Sequence, residues 1–516
     1  MEENIIVEEK VVREKLIKVG EKFKVEFVSM THDGKGVCKL NGKNKYGDEL
    51  VNFPIFVDKA ITKEEGIIEL TEVKKTLGNA KIVKIFKDKT SPYRVDPICP
   101  IYHECGGCHL MHMNYEGQLK FKRGMVKQTL EKIGGFKDLK VAPVIESVDV
   151  LKYRNKVQIP FGSKKSKTVC GFYKKESHDI IPLEECYIQS DEMTEIVKFI
   201  RNLCNEYKIK GYDEEKGTGD IRHVLVREST KTNEIMVVLV TLRKEIKNLP
   251  DLVTKLVKRH PKIVSIIQNI NSEKTNVVLG KKSTKLYGKN SIDDVLLEHT
   301  FSIGEKSFYQ VNPKTTEILY KKAIEIGKFK KTDNVIDAYC GIGTIGISLA
   351  EKVNHVYSVE IVEEAIKNAL ENAKKNNINN IEFVCEKAEV QIVKWANEGL
   401  KIDAIVVDPP RKGLDLVFMD TIAKMNIPKV VYISCDVSTL ARDLKHFKEL
   451  GYTTTTVYPV DMFPNTMHVE TLVCLSKKTE KHINIDVEFG EGEGQLSLKK
   501  LQEELNKQKP KKKNDL

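Results

Sequence analysis

Between residues 334 and 434 the chain repeats one rhythm: a short apolar run, a turn, a helical stretch and another apolar run. Asn334–Ala338, His355–Glu360, Ile381–Cys385, Ala404–Asp408 and Val430–Ser434 are the apolar runs, and Glu363–Lys375, Leu416–Lys424 and Thr439–Leu450 read as helices. Short apolar strands alternating with helices predict a doubly wound α/β sheet. Such sheets bind ligands outside the carboxyl ends of their strands, so the chemistry is expected at residues that close these runs.

The rest of the chain divides around that sheet. Residues 1–14 read as an acidic tail. In 15–88, Phe23, Val25 and Phe27 alternate with Lys22, Lys24 and Glu26, the pattern of a half-buried strand. Leu50–Val57, Gly66–Val73 and Ala80–Ile85 are further strands, with turn signals at Asp33-Gly34, Asn41-Gly42 and Tyr46-Gly47-Asp48. Four or five short strands in that space predict a small OB-type barrel. Residues 15–90 carry 16 Lys and no Arg against 11 acids, which fits either a plain structural module or a nucleic-acid surface. A central mixed domain over 89–305 has a helix near Tyr115–Ile133 and strands at Ile221–Arg227 and Ile235–Leu242. The sheet domain spans 306–477, and 478–516 is a charged, Lys-rich tail expected to be disordered.

Charge and cysteine content narrow the setting. The 516 residues hold 85 Lys+Arg and 74 Asp+Glu, a net charge of +11 that permits a polyanionic partner without requiring one. No run approaches the ~18 consecutive apolar residues of a membrane span. The start, MEENIIVEEK, is acidic where a signal peptide is basic. A cytoplasmic protein with no membrane association is expected. Eleven cysteines in a reducing compartment are then core residues, metal ligands or nucleophiles, not a disulfide framework.

The run Val335-Ile336-Asp337-Ala338 leads into Tyr339-Cys340-Gly341-Ile342-Gly343-Thr344-Ile345-Gly346, a strand, a glycine turn and a helix start. Glu360 closes the next strand, where a carboxylate accepts from ribose hydroxyls. This geometry suits NAD and S-adenosylmethionine equally. Asp408-Pro409-Pro410, closing the fourth strand, favours the second, because the pattern is known from S-adenosylmethionine-dependent enzymes that methylate nucleobases. Cys435 follows the strand ending at Ser434 and shares that edge. A thiolate there can act as a nucleophile if its pKa is lowered. Glu470, just before the strand Leu472–Leu475, is a candidate general base. Together, a thiolate, a carboxylate and a methyl donor suit methylation at carbon 5 of a pyrimidine. Addition of the thiolate to carbon 6 gives carbon 5 the electron density to attack the methyl sulfonium. A base then removes the carbon-5 proton, and the thiol is eliminated.

With these motifs in place, residues 15 to 477 resemble the RNA uracil-5-methyltransferases, specifically the iron–sulfur branch acting on 23S ribosomal RNA. Ser307-Phe308-Tyr309-Gln310-Val311-Asn312 resembles that family's entry to a Rossmann-like class I methyltransferase domain. The resemblance implies that Gln310, Tyr339, Thr344, Glu360 and Asp408 bind S-adenosylmethionine and that Phe308 lies near the target base. It implies Cys435 as nucleophile and Glu470 as base, and likens the barrel to the RNA-binding TRAM domain. Tyr153-Arg154-Asn155-Lys156 also resembles a family motif and offers cation and amide donors to RNA. Lys387 is a departure, standing where an acidic residue is expected, so the resemblance does not carry an adenine contact over to that position.

Cys99, Cys105 and Cys108 fall within ten residues, and Cys186 follows 78 positions later. Three clustered thiolates and a remote fourth suit tetrahedral zinc or a [4Fe–4S] cluster. Cys170 and Cys204 compete for the fourth place; the resemblance selects [4Fe–4S] and Cys186. The implied protein is a monomer that methylates carbon 5 of a uridine in 23S rRNA. The alternatives are the same chemistry on tRNA, amino-methylation of a nucleobase, or a non-catalytic RNA-binding factor.

Overall fold

Strand alternation in the N-terminal segment closes a ring. In the computed structural model, which describes residues 16–44 and 47–477, Lys22–Glu26 buries Phe23 and Val25 and exposes its charged residues. It pairs with Glu65–Val73, then continues through Phe27 and Val28 into Ser29–Met30, which pairs with Gly36–Asn44. Gly36–Asn44 pairs with Glu49–Val57, that strand lies parallel to Gly78–Ile85, and Gly78–Ile85 returns to Glu65–Val73. Phe27, Cys38, Ile55 and Ile68 fill the interior. Asn41-Gly42 is not the turn expected. The strand runs through it with a bulge between Leu40 and Gly42, and the Asn41 side chain accepts from the Asn52 amide at 2.7 Å, satisfying the disturbed ladder. Tyr46, part of another expected turn, lies outside the described residues, as do the two tails.

A second sheet has seven strands, from Ile180–Pro182 at one edge to Lys282–Gly288 at the other. Its inner strand Ile235–Thr241 is buried along its whole length. Val237 and Leu239 face the helices Asp191–Glu206 and Leu249–Arg259, whereas Met236, Val238 and Val240 join the core of the third layer. That shared core holds the second sheet against the third.

The third sheet contains the expected rhythm, in the order Ile381–Cys385, His355–Glu360, Asn334–Ala338, Ala404–Val407, Lys429–Ser434, Glu470–Lys477, Thr456–Val460 and Lys140–Val141. The first five strands are parallel. Successive residues alternate between two cores, Val335 and Val406 on one face, Ile336 and Val407 on the other, as a sheet covered on both sides requires. The sheet is not parallel throughout: Glu470–Lys477 runs antiparallel between Lys429–Ser434 and Thr456–Val460. That reversal sets the beginning of one strand beside the end of its neighbour. Pro313–Gly327 and Ala388–Asn397 are helices that the sequence reading did not assign. The helix Tyr115–Gly134 contributes Val126 and Leu130 to the core on one face of this sheet, and Lys140–Val141 extends the sheet's edge, so residues well before 306 complete this layer. Among the described residues no helix is long and apolar enough to cross a membrane.

Candidate active site

Five strands end along one edge, and the backbone there is shaped for close approach. Tyr339 has φ +65°, unusual for a bulky residue, and Gly341 and Gly343 are also left-handed. The helix Thr344–Ala350 then starts, and Gly346 in its first turn donates to Asp337 at 2.8 Å. A Cβ on Gly346 would lie 2.7 Å from that carboxylate oxygen, so only glycine fits. Glu360 ends its strand with both carboxylate oxygens on backbone amides, Gly341 at 3.2 Å and Val362 at 2.9 Å. A carboxylate has lone pairs left beyond these two bonds, so Glu360 shapes the turn and can still accept from hydroxyls. Thr344 lies 3.3 Å from the Tyr320 hydroxyl, and Tyr339 packs obliquely on Phe418 at 5.9 Å.

Asp408, Cys435 and Glu470 are brought together beside this turn. Burial pushes the Glu470 carboxyl up to about 8, the Asp408 carboxylate pushes the same way, and Arg411 opposes both. Burial raises Asp408 to about 7. The Cys435 thiol goes up to about 12, first through burial, then through Glu470 and Asp408, with Arg411 again opposing. A half-buried thiol against two carboxyl groups is held protonated until its surroundings change. The site can therefore supply a carboxyl poised near neutrality and a thiol that needs activation.

The remaining predicted residues lie on other segments. Gln310 is buried, and its carbonyl accepts from the Asn155 side chain at 3.2 Å. Phe308, two residues earlier, is 67% exposed, an aromatic face free to meet a ligand. Asn312 caps the next helix and also donates to Met462, tying this segment to the turn before Glu470. Lys387 is exposed and donates its amide to the neighbouring Glu386.

Cys99, Cys108 and Cys186 pack around Tyr102, Met111, Tyr153 and Ile188, and Cys105 accepts from the Gly107 amide at 3.4 Å. All four are free thiols, half-buried, and burial chiefly pushes their pKa up, helped by neighbouring cysteines at Cys105, Cys108 and Cys186 and by Glu185 at Cys99. Cys170 and Cys204 lie instead in the core between the second sheet and its helices. Among the described residues, no three His, Cys, Asp or Glu side chains are grouped to hold a metal ion.

The sequence reading missed Asp337 and Arg411. Asp337 sits in an apolar run and looked like part of the strand, yet one of its oxygens is buried without a partner. Arg411 follows Asp408-Pro409-Pro410 directly, and that position was the available signal.

Comparisons with known proteins place the chain in a family. A family model described as tRNA (uracil-5-)-methyltransferase matches residues 114–478. A Bacillus cereus protein described as an uncharacterized RNA methyltransferase is 44% identical over 453 residues, covering 88% of this chain and 96% of its own. One from Clostridium tetani with the same description is 43% identical over 465 residues, covering 90% and 98%. Among solved structures, the Pyrococcus abyssi tRNA (uracil-54, C5)-methyltransferase in complex with S-adenosyl-L-homocysteine is similar with a TM-score of 0.68 and 28% identity, over 87% of this chain and 99% of that one. The chain belongs to the tRNA (uracil-5-)-methyltransferase family and is an RNA uracil-5-methyltransferase that takes its methyl group from S-adenosylmethionine.

Proposed function

We propose that this enzyme methylates carbon 5 of a uridine in 23S rRNA through a covalent bond between Cys435 and carbon 6, with Glu470 removing the carbon-5 proton. The observation that carries the mechanism is the placement of a thiol and a carboxyl poised near neutrality at one strand edge beside a glycine turn. Gln310, Tyr339, Thr344, Glu360 and Asp408 hold S-adenosylmethionine there. Phe308 stacks on the uracil, which leaves its helix or loop to be reached. Arg154 and Lys156 lead away from this edge as RNA-binding cations. Lys156 is pushed down to about 8 by burial and by Arg227 and Arg154, a strain that a phosphate would relieve.

The division into an OB-type TRAM barrel over 15–88, a central domain over 89–305 and a methyltransferase domain over 306–477 belongs to the same proposal. So does a monomer working in the cytoplasm, with the lysine-rich barrel adding salt-sensitive affinity for RNA. Cys99, Cys105, Cys108 and Cys186 hold a [4Fe–4S] cluster. The packing of Cys99, Cys108 and Cys186 about one small apolar cluster supports it, as do backbone amides directed at the sulfurs of Cys99, Cys105 and Cys186, the hydrogen bonds by which proteins tune such clusters. Its contribution is structural, joining the loop of residues 99–108 to the segment at Cys186, or lies in contact with RNA, and is not redox chemistry.

A second reading places the target uridine in tRNA. What ranks it second is that family members acting on tRNA at this carbon usually lack the barrel and the cysteine cluster. Against that argument, the Pyrococcus abyssi tRNA enzyme aligns over 87% of this chain, more than the methyltransferase domain alone. Nucleoside mass spectrometry after incubation with labelled S-adenosylmethionine and, separately, unmodified 23S rRNA and tRNA decides. Labelled 5-methyluridine in 23S rRNA alone supports the first reading. Label in tRNA alone transfers the same chemistry to the second, and a labelled amine discards the Cys435 mechanism.

A further inference from the structure

The turn that leads into Glu470 is fastened to the rest of the molecule residue by residue. Asp461 forms an ion pair with Lys122 at 2.5 Å, both side chains fully buried. The carbonyls of Met462, Phe463 and Pro464 accept from Asn312, Lys122 and Tyr153 at 3.1, 3.0 and 3.1 Å. Asn465 then uses every polar group it has. Its amide donates to Gln118 Oε1 at 2.8 Å and its Oδ1 accepts from Gln118 Nε2 at 3.1 Å. Its Nδ2 donates to the Val150 carbonyl at 2.9 Å. Its own carbonyl accepts from the amides of His109 and Leu110 at 2.9 and 3.0 Å, the two residues directly after Cys108. Asn465 is 3% exposed with φ +67°, a conformation that asparagine tolerates better than most residues. The rings of His109 and His468 meet edge to face at 6.2 Å, adding a side-chain contact along the same line.

We infer that Asn465 is a positioning residue, a latch through which the cysteine loop and the helix Tyr115–Gly134 hold the turn that aims Glu470. The inference rests on Glu470 being the base. It gives the cysteine loop a task apart from contacting RNA, because an ordered loop presents the His109 and Leu110 amides where Asn465 needs them. Gln118 and Lys122, one helical turn apart, present a single face to the turn.

Two variants of the full-length enzyme test this. Gln118→Met keeps the side-chain length and removes both bonds to Asn465. Asn465→Gly retains the left-handed backbone and the main-chain bonds but loses those of the side chain. For Gln118→Met, kcat is expected to fall roughly tenfold or more with KM for RNA changed less than about twofold, the pattern of a displaced catalytic group. The covalent RNA adduct should accumulate, and amide hydrogens of residues 466–470 should exchange faster by mass spectrometry. Asn465→Gly should fall between this variant and the wild type. Unchanged exchange at 466–470 in both variants, with circular dichroism unaltered, overturns the latch, and so does a raised KM at unchanged kcat. Glu470→Gln run alongside separates the two ideas. If that variant turns over normally, the base assignment fails, while the exchange rates still judge the latch.

Discussion

Ser434 and Thr471 pair across an antiparallel ladder, the Thr471 hydroxyl donating to the Ser434 carbonyl at 3.2 Å, so Cys435 and Glu470 stand opposite each other one residue beyond it. One strand ends into the proposed nucleophile and its neighbour begins with the proposed base. The reversed strand creates this arrangement; a parallel one would bring its first residue to the far edge of the sheet.

Facing a carboxylate makes Cys435 a weaker acid, and the effect has a sign that can be measured. Glu470→Gln removes the negative charge nearest the thiol and should lower its pKa, raising the thiolate fraction. At pH 9, where the wild-type Glu470 is mostly ionised, Cys435 in the variant should alkylate roughly three- to tenfold faster with iodoacetamide. Arg411→Ala should slow the same reaction. Peptide mass spectrometry of the alkylated Cys435 reads both, and equal rates in all three proteins would remove the coupling.

Catalysis should carry the same signature in its pH dependence. Glu470 sits at about 8 and Cys435 at about 12, and each has to lose a proton before it acts. The rate constant kcat/KM should therefore rise with pH through about 8 and keep rising toward 9. A profile that is flat or falling between pH 6.5 and 9 would contradict the assigned roles.

Much of this site was readable in the residues because its parts lie where periodicity is plain. The runs ending at Ala338, Glu360 and Ser434 are apolar and sharply bounded, so their final residues declared the sheet edge before any coordinates. Two kinds of feature stayed hidden. The antiparallel direction of Glu470–Lys477 leaves no mark on a strand buried along most of its length, because direction is set by the connection and the neighbours. Asp337 was hidden by its apolar flanks, and Asn465 by standing alone in a loop, its five hydrogen bonds reaching three distant segments. Periodicity reports which face a residue occupies, not which remote partner it meets. The helix Pro313–Gly327 was missed for a simpler reason: Lys314 and the adjacent pair Lys321-Lys322 blur its apolar stripe, although Asn312-Pro313 is a sound helix start.

At the glycine turn, Glu360 holds two backbone amides and, in the proposed function, the ribose of the cofactor as well. Glu360→Gln keeps an acceptor for one amide, sets an NH2 group against the other, and removes the charge that favours ribose hydroxyls. Affinity for S-adenosylhomocysteine should drop by about 2 kcal/mol, roughly thirtyfold, by isothermal titration calorimetry. Glu360→Ala should drop it further and lower the melting temperature, because the turn then loses both anchors. A Glu360→Gln variant that binds like the wild type would show that the carboxylate serves the turn alone.

Asp337 makes a prediction about stability. Burial, and then Asp408 and Glu360, push its carboxyl from 3.8 to about 8 in the folded protein. The folded state thus holds a proton between about pH 4 and pH 8 that the unfolded chain has released. Unfolding in that window releases a proton, so stability falls as pH rises and the whole penalty is present above about pH 8. Asp337→Asn keeps an acceptor for the Gly346 amide at nearly the same size and has no charge to bury. The wild type should lose on the order of 3 kcal/mol more than Asp337→Asn between pH 5 and pH 8.5, in the absence of cofactor. Thermal unfolding of both proteins across that range checks it: the two melting temperatures should lie close together at pH 5 and separate by several degrees at pH 8.5, the variant being higher. Parallel curves would mean that Asp337 is ionised in the folded protein, its free oxygen compensated by a donor at the cofactor turn.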